Sequence, residues 1–196
     1  MGRKAGRTPE QTRRLALDAA AKVFRTHGVG ATLDDVARAA GLSKGGLVYH
    51  FKSKDELLRA LIDDIIDGWR QVVMDELEPG DDAPGRLMRA YVRANLKRRH
   101  DHHEMRDAFA LSVQLVSDPQ VAAALEADGE RWAADLAGDG LPDDVVRLIV
   151  AAADGAGVLS EWGGSDETSS TTLGRQLVAL TRAPDALSRL LADTDR

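Results

Sequence analysis

The chain has 196 residues, of which 43% are hydrophobic and 30% charged, as in an ordinary globular protein with one or two small domains. It contains no cysteine, which excludes disulfides and thiolate zinc sites, and no apolar run reaches the roughly 18 residues of a membrane helix, so we expect a cytoplasmic protein. The net charge of −6 is uneven, because residues 1–59 hold twelve Lys or Arg and six Asp or Glu, whereas residues 60–196 hold fourteen and twenty-six. This division indicates a basic module for a polyanion on an acidic body, unless a short disordered tail accounts for part of the basic excess.

Helical spacing of apolar residues dominates the chain, and no segment alternates as a strand does, which predicts an all-α fold of about nine helices. Thr32 with Asp35, and then Ser43, are expected to cap the second and third helices. From these caps and from later Pro and Gly signals, helices are expected at about 9–27, 33–40, 44–51, 54–77, 84–99, 103–116, 119–137, 143–162 and 167–181.

Residues 33–51 fit the plan of a helix-turn-helix, in which two short helices are separated by about three residues. Gly41 permits the positive φ that such a turn requires. The second of the two helices then presents Lys44 and its neighbours outward. In this motif the N-terminal residues of the recognition helix meet base edges in the major groove.

The segment TLDDVARAAGLSKGGLVYHFKSKDELL, preceded by a helix ending in AAAKVFRTHGVGAT, resembles the N-terminal domain of the TetR family of bacterial transcriptional regulators. The likeness covers about residues 10–60 and includes a Gly-x-Ser-x-Gly-x-Leu core, a Tyr-His-Phe tail and Lys-x-Lys. Val48 departs from the family pattern, which commonly has tyrosine there. The resemblance implies a DNA-binding domain with a short basic arm at 1–53 and a helical ligand-binding and dimerisation domain at 54–196; a chance helix-turn-helix look-alike is the alternative.

The resemblance and the chemistry of base edges together imply which residues contact DNA. Lys44 can donate to guanine O6 and N7, while Gly45 and Gly46 let the helix backbone approach the bases. Polar side chains around them are expected on phosphates, with Lys54 adding charge and amides at the start of the fourth helix. The predicted DNA-binding residues are Thr32, Ser43, Lys44, Gly45, Gly46, Tyr49, His50 and Lys54. Basic residues between 3 and 7 would reach the minor groove as a flexible arm, or form a solubilising tail.

TetR-like proteins are homodimers whose C-terminal helices form the dimer interface, and the sequence gives its own support for one. In 143–162, apolar residues occupy nearly every side, which is typical of a helix buried all round. Together with a leucine stripe in the last helix, this predicts a four-helix bundle between two copies; packing within one chain is the alternative. The expected interface residues are Val146, Ile149, Val150, Ala153, Leu159, Trp162, Leu173, Leu177 and Leu180.

Large apolar side chains of the middle helices are candidates for a pocket that holds an apolar or aromatic small molecule. They are Trp69, Tyr91, Met105, Phe109 and Trp132. Asp154 stands in an otherwise apolar stretch and is either a polar anchor for that molecule or a solvent-facing residue. Ordinary core packing is the alternative for the apolar residues. We expect no cofactor besides a small-molecule effector.

The stretch RRHDHHEMR contains residue types that bind metals, namely His100, His102, His103 and Glu104. Helical metal sites favour spacings of three or four, which His100 satisfies with His103 or Glu104. The stretch is also expected to span a helix break among arginines, which favours a solvated polar junction. We therefore assign no metal, and a metal-sensing regulator stays an alternative.

Taken together, the sequence predicts a nucleoid-associated regulator: a repressor that binds a palindromic DNA operator as a homodimer and is released by a small molecule. By linkage, the molecule and the DNA would weaken each other's binding. No nucleophile elbow, P-loop, HExxH or dinucleotide fingerprint occurs, so an enzyme is not expected. A sequence-tolerant architectural DNA binder is the alternative function, and an activator role stays open.

Overall fold

The computed structural model describes residues 7–101, 103–161 and 167–192, with side chains at 7–96, 107–156 and 168–189. Within these ranges the chain forms ten α-helices and no strand, so the predicted all-α class is confirmed. None of the described helices is both long and apolar enough to cross a bilayer. The helices are α1 (Pro9–His27), α2 (Leu33–Ala40), α3 (Lys44–His50), α4 (Lys54–Asp75), α5 (Arg86–Asp101), α6 (His103–Leu115), α7 (Pro119–Ala137), α8 (Asp143–Glu161), α9 (Glu167–Thr181) and α10 (Pro184–Ala192), with a 3₁₀ turn at Gly28–Gly30.

The described residues form one helix more than the about nine expected from the sequence, because α10 was not foreseen. Its start signals are present, since Pro184 occupies the first helical position and Asp185 places a negative charge in the first turn. Leu187, which is buried, fixes this helix to the surrounding core. The helix has only nine residues, about two and a half turns, so its apolar pattern spans less than the window over which helical spacing is read.

Side-chain caps fix the geometry between α2 and α3. Thr32 and Asp35 form the predicted capping box, and the hydrogen bonds from Thr32 lower the pKa of the Asp35 carboxyl. The Oγ of Ser43 accepts a hydrogen bond from the Gly46 N–H at 3.0 Å. Gly41 ends α2 with a φ of 63°, which lets the chain turn within three residues. The predicted helix-turn-helix caps are therefore confirmed.

Packing divides the chain into two compact units, which we call the head and the body. The head contains Met1–Ile66 and Asp107–Glu126, and the body contains Asp67–Arg106 and Ala127–Arg196. Helix α4 contributes residues to both units. This division is based on packing and does not identify the function of either unit. The functional division expected between residues 53 and 54 therefore stays a prediction.

The head is built around aliphatic, alanine and phenylalanine side chains. Leu47 and Phe51, which are 0% and 1% exposed, anchor α3 in that core. Burial of each such side chain contributes about 1.5–3 kcal/mol, whereas a helix of this length has little stability of its own. Tertiary packing therefore holds α3 in place. The same core includes Ala16, Leu17, Ala20, Phe24, Val36, Ala37, Ala40, Leu57, Leu58, Leu61 and Ile62.

The body core includes a buried arginine beside its apolar side chains. Arg89, which is 1% exposed, donates through Nε and Nη2 to the Asp81 carboxylate at 2.7 and 2.6 Å. It also donates to the carbonyls of Ala83 and Pro84 at 3.0 and 2.8 Å, and to the hydroxyl of Thr181 at 3.3 Å. The hydrogen bonds that Arg89 donates to the Asp81 carboxylate lower the pKa of that group. Arg89 thus joins the loop before α5 and the end of α9 to α5.

Candidate DNA-reading surface and effector cavity

The outward side of α3 carries the residues predicted to meet DNA. Because Leu47 and Phe51 turn into the head core, the opposite side is open to solvent. Tyr49 is 79% exposed, and its ring contacts that of His50 edge to face with the centroids 5.1 Å apart. The side chain of Lys44 is 69% exposed. The structure therefore brings the predicted base and phosphate contacts of α3 together on one accessible surface.

The two glycines of α3 have different surroundings. A Cβ placed at Gly46 would lie 3.2 Å from the Oγ of Ser43, so the cap accounts in part for that glycine. A Cβ placed at Gly45 meets no described atom within 4 Å. Glycine inside a helix costs about 1 kcal/mol relative to alanine, and packing within the described chain gives no reason for this cost at Gly45.

Lys44 has a partner that the sequence analysis did not single out. Its ammonium donates to the carboxylate of Asp34 at 3.1 Å. Asp34 is the second residue of α2, and its side chain is 53% exposed. The adjacent Asp35 bonds Thr32 and Arg38, so the cap does not depend on Asp34. The one signal in the sequence that could have identified Asp34 is its position as an acidic residue at the start of α2, the first helix of the helix-turn-helix.

The other predicted phosphate contacts lie at the starts of α2 and α4. The exposed Thr32 uses its hydroxyl in the cap, donating to Asp35 at 2.6 Å. Lys54 is the first residue of α4 and donates to the carbonyl of Val29. Helix starts carry backbone N–H groups without intrahelical partners, which suits an anion. The phosphate contacts themselves stay predictions.

The body contains a cavity of about 580 Å³ with mostly apolar walls. This volume lies within the range of small-molecule sites, which is about 300–1,000 Å³. Charged groups are present at Asp143, Arg147 and Asp154. Tyr91 donates to Asp154 at 2.7 Å. The remaining lining residues are Gly129, Trp132, Ala133, Leu136, Ala137, Val146, Val150 and Ala151.

Three of the six residues proposed from the sequence for a pocket line this cavity, namely Tyr91, Trp132 and Asp154. Trp69 does not line it, but its ring contacts that of Tyr91 at a centroid distance of 6.2 Å. Phe109 belongs to the head and is half-buried there. Most of the cavity lining could not be predicted from the sequence, because alanine and valine carry no chemical signal. Binding of a small molecule here stays a prediction.

Trp132, which lines the cavity, contacts a residue of α4. The guanidinium of Arg70, a residue of α4, lies 4.3 Å from the centroid of the Trp132 ring. Arg70 also donates to Asp128 at 2.9 Å and to Asp135 at 2.8 Å. A cation over an indole ring is attracted by its quadrupole, so these contacts fix the orientation of Trp132.

Helix α8 uses different sides for different contacts. Ile149 and Ala153 are 0% exposed and pack in the body core, as does Leu177 of α9. Val146 and Val150 are half-buried and line the cavity. Half-buried Leu173 and Leu180 pack against the core. As a dimer interface, this set stays a prediction, and its most buried members already serve their own chain.

Several residues predicted from the sequence have no described side chain or lie outside the described residues. Side chains are not described for His100, His103, Glu104, Met105 and Leu159, and His102 and Trp162 lie outside the described residues. Among the side chains that are described, no group of three or more His, Asp or Glu is placed to hold a metal ion.

A helix-turn-helix with an exposed polar recognition surface, followed by an all-helical body, defines a class: helix-turn-helix DNA-binding regulators. Two family models match the chain, "Bacterial regulatory proteins, tetR family" over residues 16–61 and "Tetracyclin repressor-like, C-terminal domain" over residues 85–182. The chain belongs to the TetR family. The members of this family are DNA-binding transcriptional regulators, typically repressors, and not enzymes.

Sequence relatives are regulators of the same family. The chain is 44% identical over 63 residues to the regulator SrpR of Pseudomonas putida, a match covering 32% of this chain and 30% of SrpR. It is 30% identical over 111 residues to RutR of Escherichia coli K12, covering 56% of this chain and 51% of RutR. The matches thus span less than two thirds of these relatives.

Solved structures share the fold over most of the chain. The multidrug binding protein EbrR, complexed with malachite green, superposes with a TM-score of 0.67 at 22% identity, covering 86% of this chain and 96% of EbrR. A TetR family member from Streptomyces coelicolor superposes with a TM-score of 0.64 at 23% identity, covering 85% and 98%. At these identities the likeness concerns the fold alone.

Proposed function

We propose that this regulator is a repressor that binds a palindromic operator as a homodimer through α3 and is released by a small molecule held in the body cavity. Gly45 carries the DNA part of this proposal, because a helical glycine with open space around it makes sense where the backbone must approach a partner closely. Lys44 before it and Tyr49 after it supply a donor for base edges and a group for phosphates. Such a protein would act in the cytoplasm at the nucleoid.

Selection from a random pool of duplexes tests operator binding. The selected sequences should be palindromic, with half-site centres about 34 Å apart. Affinity for them should exceed affinity for random DNA by about a thousandfold or more. If no sequence is enriched from the pool, or if random DNA binds with equal affinity, the result would contradict the proposal and favour an architectural binder.

Replacing Gly45 by leucine separates DNA contact from folding. We expect Gly45→Leu to change the free energy of unfolding by no more than about 1 kcal/mol, because the site is open and leucine favours helix. Operator binding should be lost, because the side chain stands between α3 and the bases. Ala123→Leu is the matched control, since Ala123 is an exposed helical residue of the head that lies in no proposed contact. Unfolding of Gly45→Leu would mean that the glycine serves the fold.

For the dimer, we place the contact on the side of α8 that lies away from the cavity and from the fully buried core positions. Leu148 is 40% exposed there, Ala152 is half-buried and Gly155 has open space around it. A leucine beside small residues permits close approach of a helix from a second copy. Palindromic DNA needs two recognition helices, so this contact is necessary for operator affinity.

Leu148→Arg tests that contact by sedimentation. It should give a monomer with weak operator binding, because an unpaired charge would be buried at the interface. Val113→Arg is the control, since Val113 of α6 is an apolar residue that is 57% exposed in the head. A Leu148→Arg protein that remains dimeric would place the interface elsewhere.

The effector part of the proposal is supported by the cavity volume, the aromatic walls and the fixed Trp132. Malachite green is the first probe, because EbrR was solved with it. Calorimetric titration should show binding to the wild type and none to Val150→Trp, which fills the cavity. Operator affinity should fall with the probe only in the wild type. Probe binding unchanged in Val150→Trp would contradict this location.

A further inference from the structure

We propose that Asp34 and Lys44 act as one reading unit that selects a G·C base pair in each half-site. Lys44 donates to guanine O6 and N7, and Asp34 accepts from the N4 amino group of the paired cytosine. The inference depends on the proposed function, because it requires α3 to enter the major groove. It adds a specificity-determining residue from α2 to the contacts made by α3.

The spacing of the two side chains is the first argument. The Lys44 ammonium and the Asp34 carboxylate are a donor and an acceptor 3.1 Å apart. Guanine O6 and cytosine N4 are an acceptor and a donor joined by one hydrogen bond, about 2.9 Å apart. The protein pair and the base edge therefore match in spacing and are opposite in hydrogen-bond character. If Lys44 keeps its contact with Asp34 while it donates to a base, the Asp34 carboxylate is held beside the same base pair.

The opposite charges of Lys44 and Asp34 also favour a contact with bases over a contact with phosphates. Ion pairs between exposed side chains add little to stability, so the fold does not require this one. A carboxylate held beside Lys44 would repel a DNA phosphate, which makes the pair a poor phosphate contact. The same carboxylate is favourable next to an exocyclic amino group. The pair is thus suited to the groove floor and unsuited to the backbone.

The pair also discriminates between base pairs. In the major groove, G·C presents two adjacent acceptors followed by a donor, and the ammonium of Lys44 can use both acceptors. A·T places its donor between two acceptors, so Lys44 would lose one hydrogen bond if Asp34 kept its own. We therefore expect G·C to be preferred at one position of each half-site by about tenfold or more.

Selection from a random duplex pool with the wild type and four variants tests this inference. The wild type should select G·C at one symmetric position, and Asp34→Ala should lose that preference by about tenfold while the other positions remain. Asp34→Asn should shift the preference toward A·T, since an amide reads adenine N6 and N7. Asp55→Asn is the matched control, because Asp55 is an exposed second residue of α4 as Asp34 is of α2. It should change affinity equally for all sequences.

Each outcome decides the inference. If Asp34→Ala and Asp34→Asn keep the wild-type preference at every position, Asp34 reads no base and the inference is wrong, while the proposed function stands. If Lys44→Ala relaxes a different position from Asp34→Ala, the two residues are not one unit. If the wild type itself selects no sequence, the proposed function fails together with the inference. Thermal unfolding of each variant confirms that the fold is intact.

Discussion

The ion pairs of the head lie at its surface, whereas the main arginines of the body are drawn into its interior. In the pairs Lys44–Asp34, Arg38–Asp35 and Arg59–Asp63, every side chain is at least 37% exposed. In the body, Arg70 and Arg93 are each 17% exposed and Arg89 is 1% exposed. Exposed pairs exchange easily with water and counterions, while buried pairs hold their geometry. The difference fits a head whose charges are available to a polyanion and a body whose charges fix loops and walls.

The largest effect is expected at Arg89. Arg89→Met would leave the mostly buried Asp81 and two loop carbonyls without their donor, so the free energy of unfolding should fall by about 3–5 kcal/mol. Urea denaturation followed by circular dichroism measures this. A loss below about 1 kcal/mol would mean that the buried pair contributes no more than an exposed one.

The same pair predicts an acid dependence. Because the pKa of Asp81 is lowered in the folded protein, its contribution is complete above its unfolded pKa of about 3.9 and is lost as the pH falls through the lower folded value. Asp81→Asn should therefore be less stable than the wild type at neutral pH, and the two should converge as the pH falls below about 4. Urea titrations across that range give the difference. A difference that does not change with pH would contradict the assignment.

A smaller effect is expected at Arg70. Arg70→Lys keeps the charge but loses the planar fork that reaches Asp128 and Asp135 and most of the contact with the Trp132 ring. We expect the free energy of unfolding to fall by about 1–2 kcal/mol. Emission from the tryptophans should shift as the orientation of Trp132 relaxes. Unchanged stability and emission would show that the guanidinium geometry is not needed.

The smallest effect is expected at Arg59, whose exposed ion pair in the head contrasts with the buried pair of Arg89 in the body. Its pair with Asp63 joins residues four apart on one turn of α4, and both side chains are about half exposed. Arg59→Met should change the free energy of unfolding by no more than about 0.5 kcal/mol. A loss as large as that of Arg89→Met would remove the distinction between the two units.

What could be predicted from the sequence was the part encoded locally. Thr32, Asp35, Gly41 and Ser43 each act within a few residues of their own position, so the turn between α2 and α3 follows from their chemistry. The Lys44–Asp34 contact joins two helices across that turn, and the Arg89–Thr181 bond joins residues 92 positions apart. Such contacts depend on packing. The walls of the cavity were missed for the same reason, because Ala133 or Val150 gains its role only when helices meet.

The arrangement of contacts around α8 has a practical consequence for changing the small molecule that the proposed cavity would bind. Val145, Ile149 and Ala153 are 0% exposed and carry the core, whereas Val146, Val150 and Ala151 line the cavity one or two positions away. A library that randomises only the second set would vary the shape of the cavity while leaving the first set intact. Because neither set includes a residue of α3, response to new compounds could be screened with the operator held constant. The register of a single helix thus separates positions open to redesign from positions that must be kept.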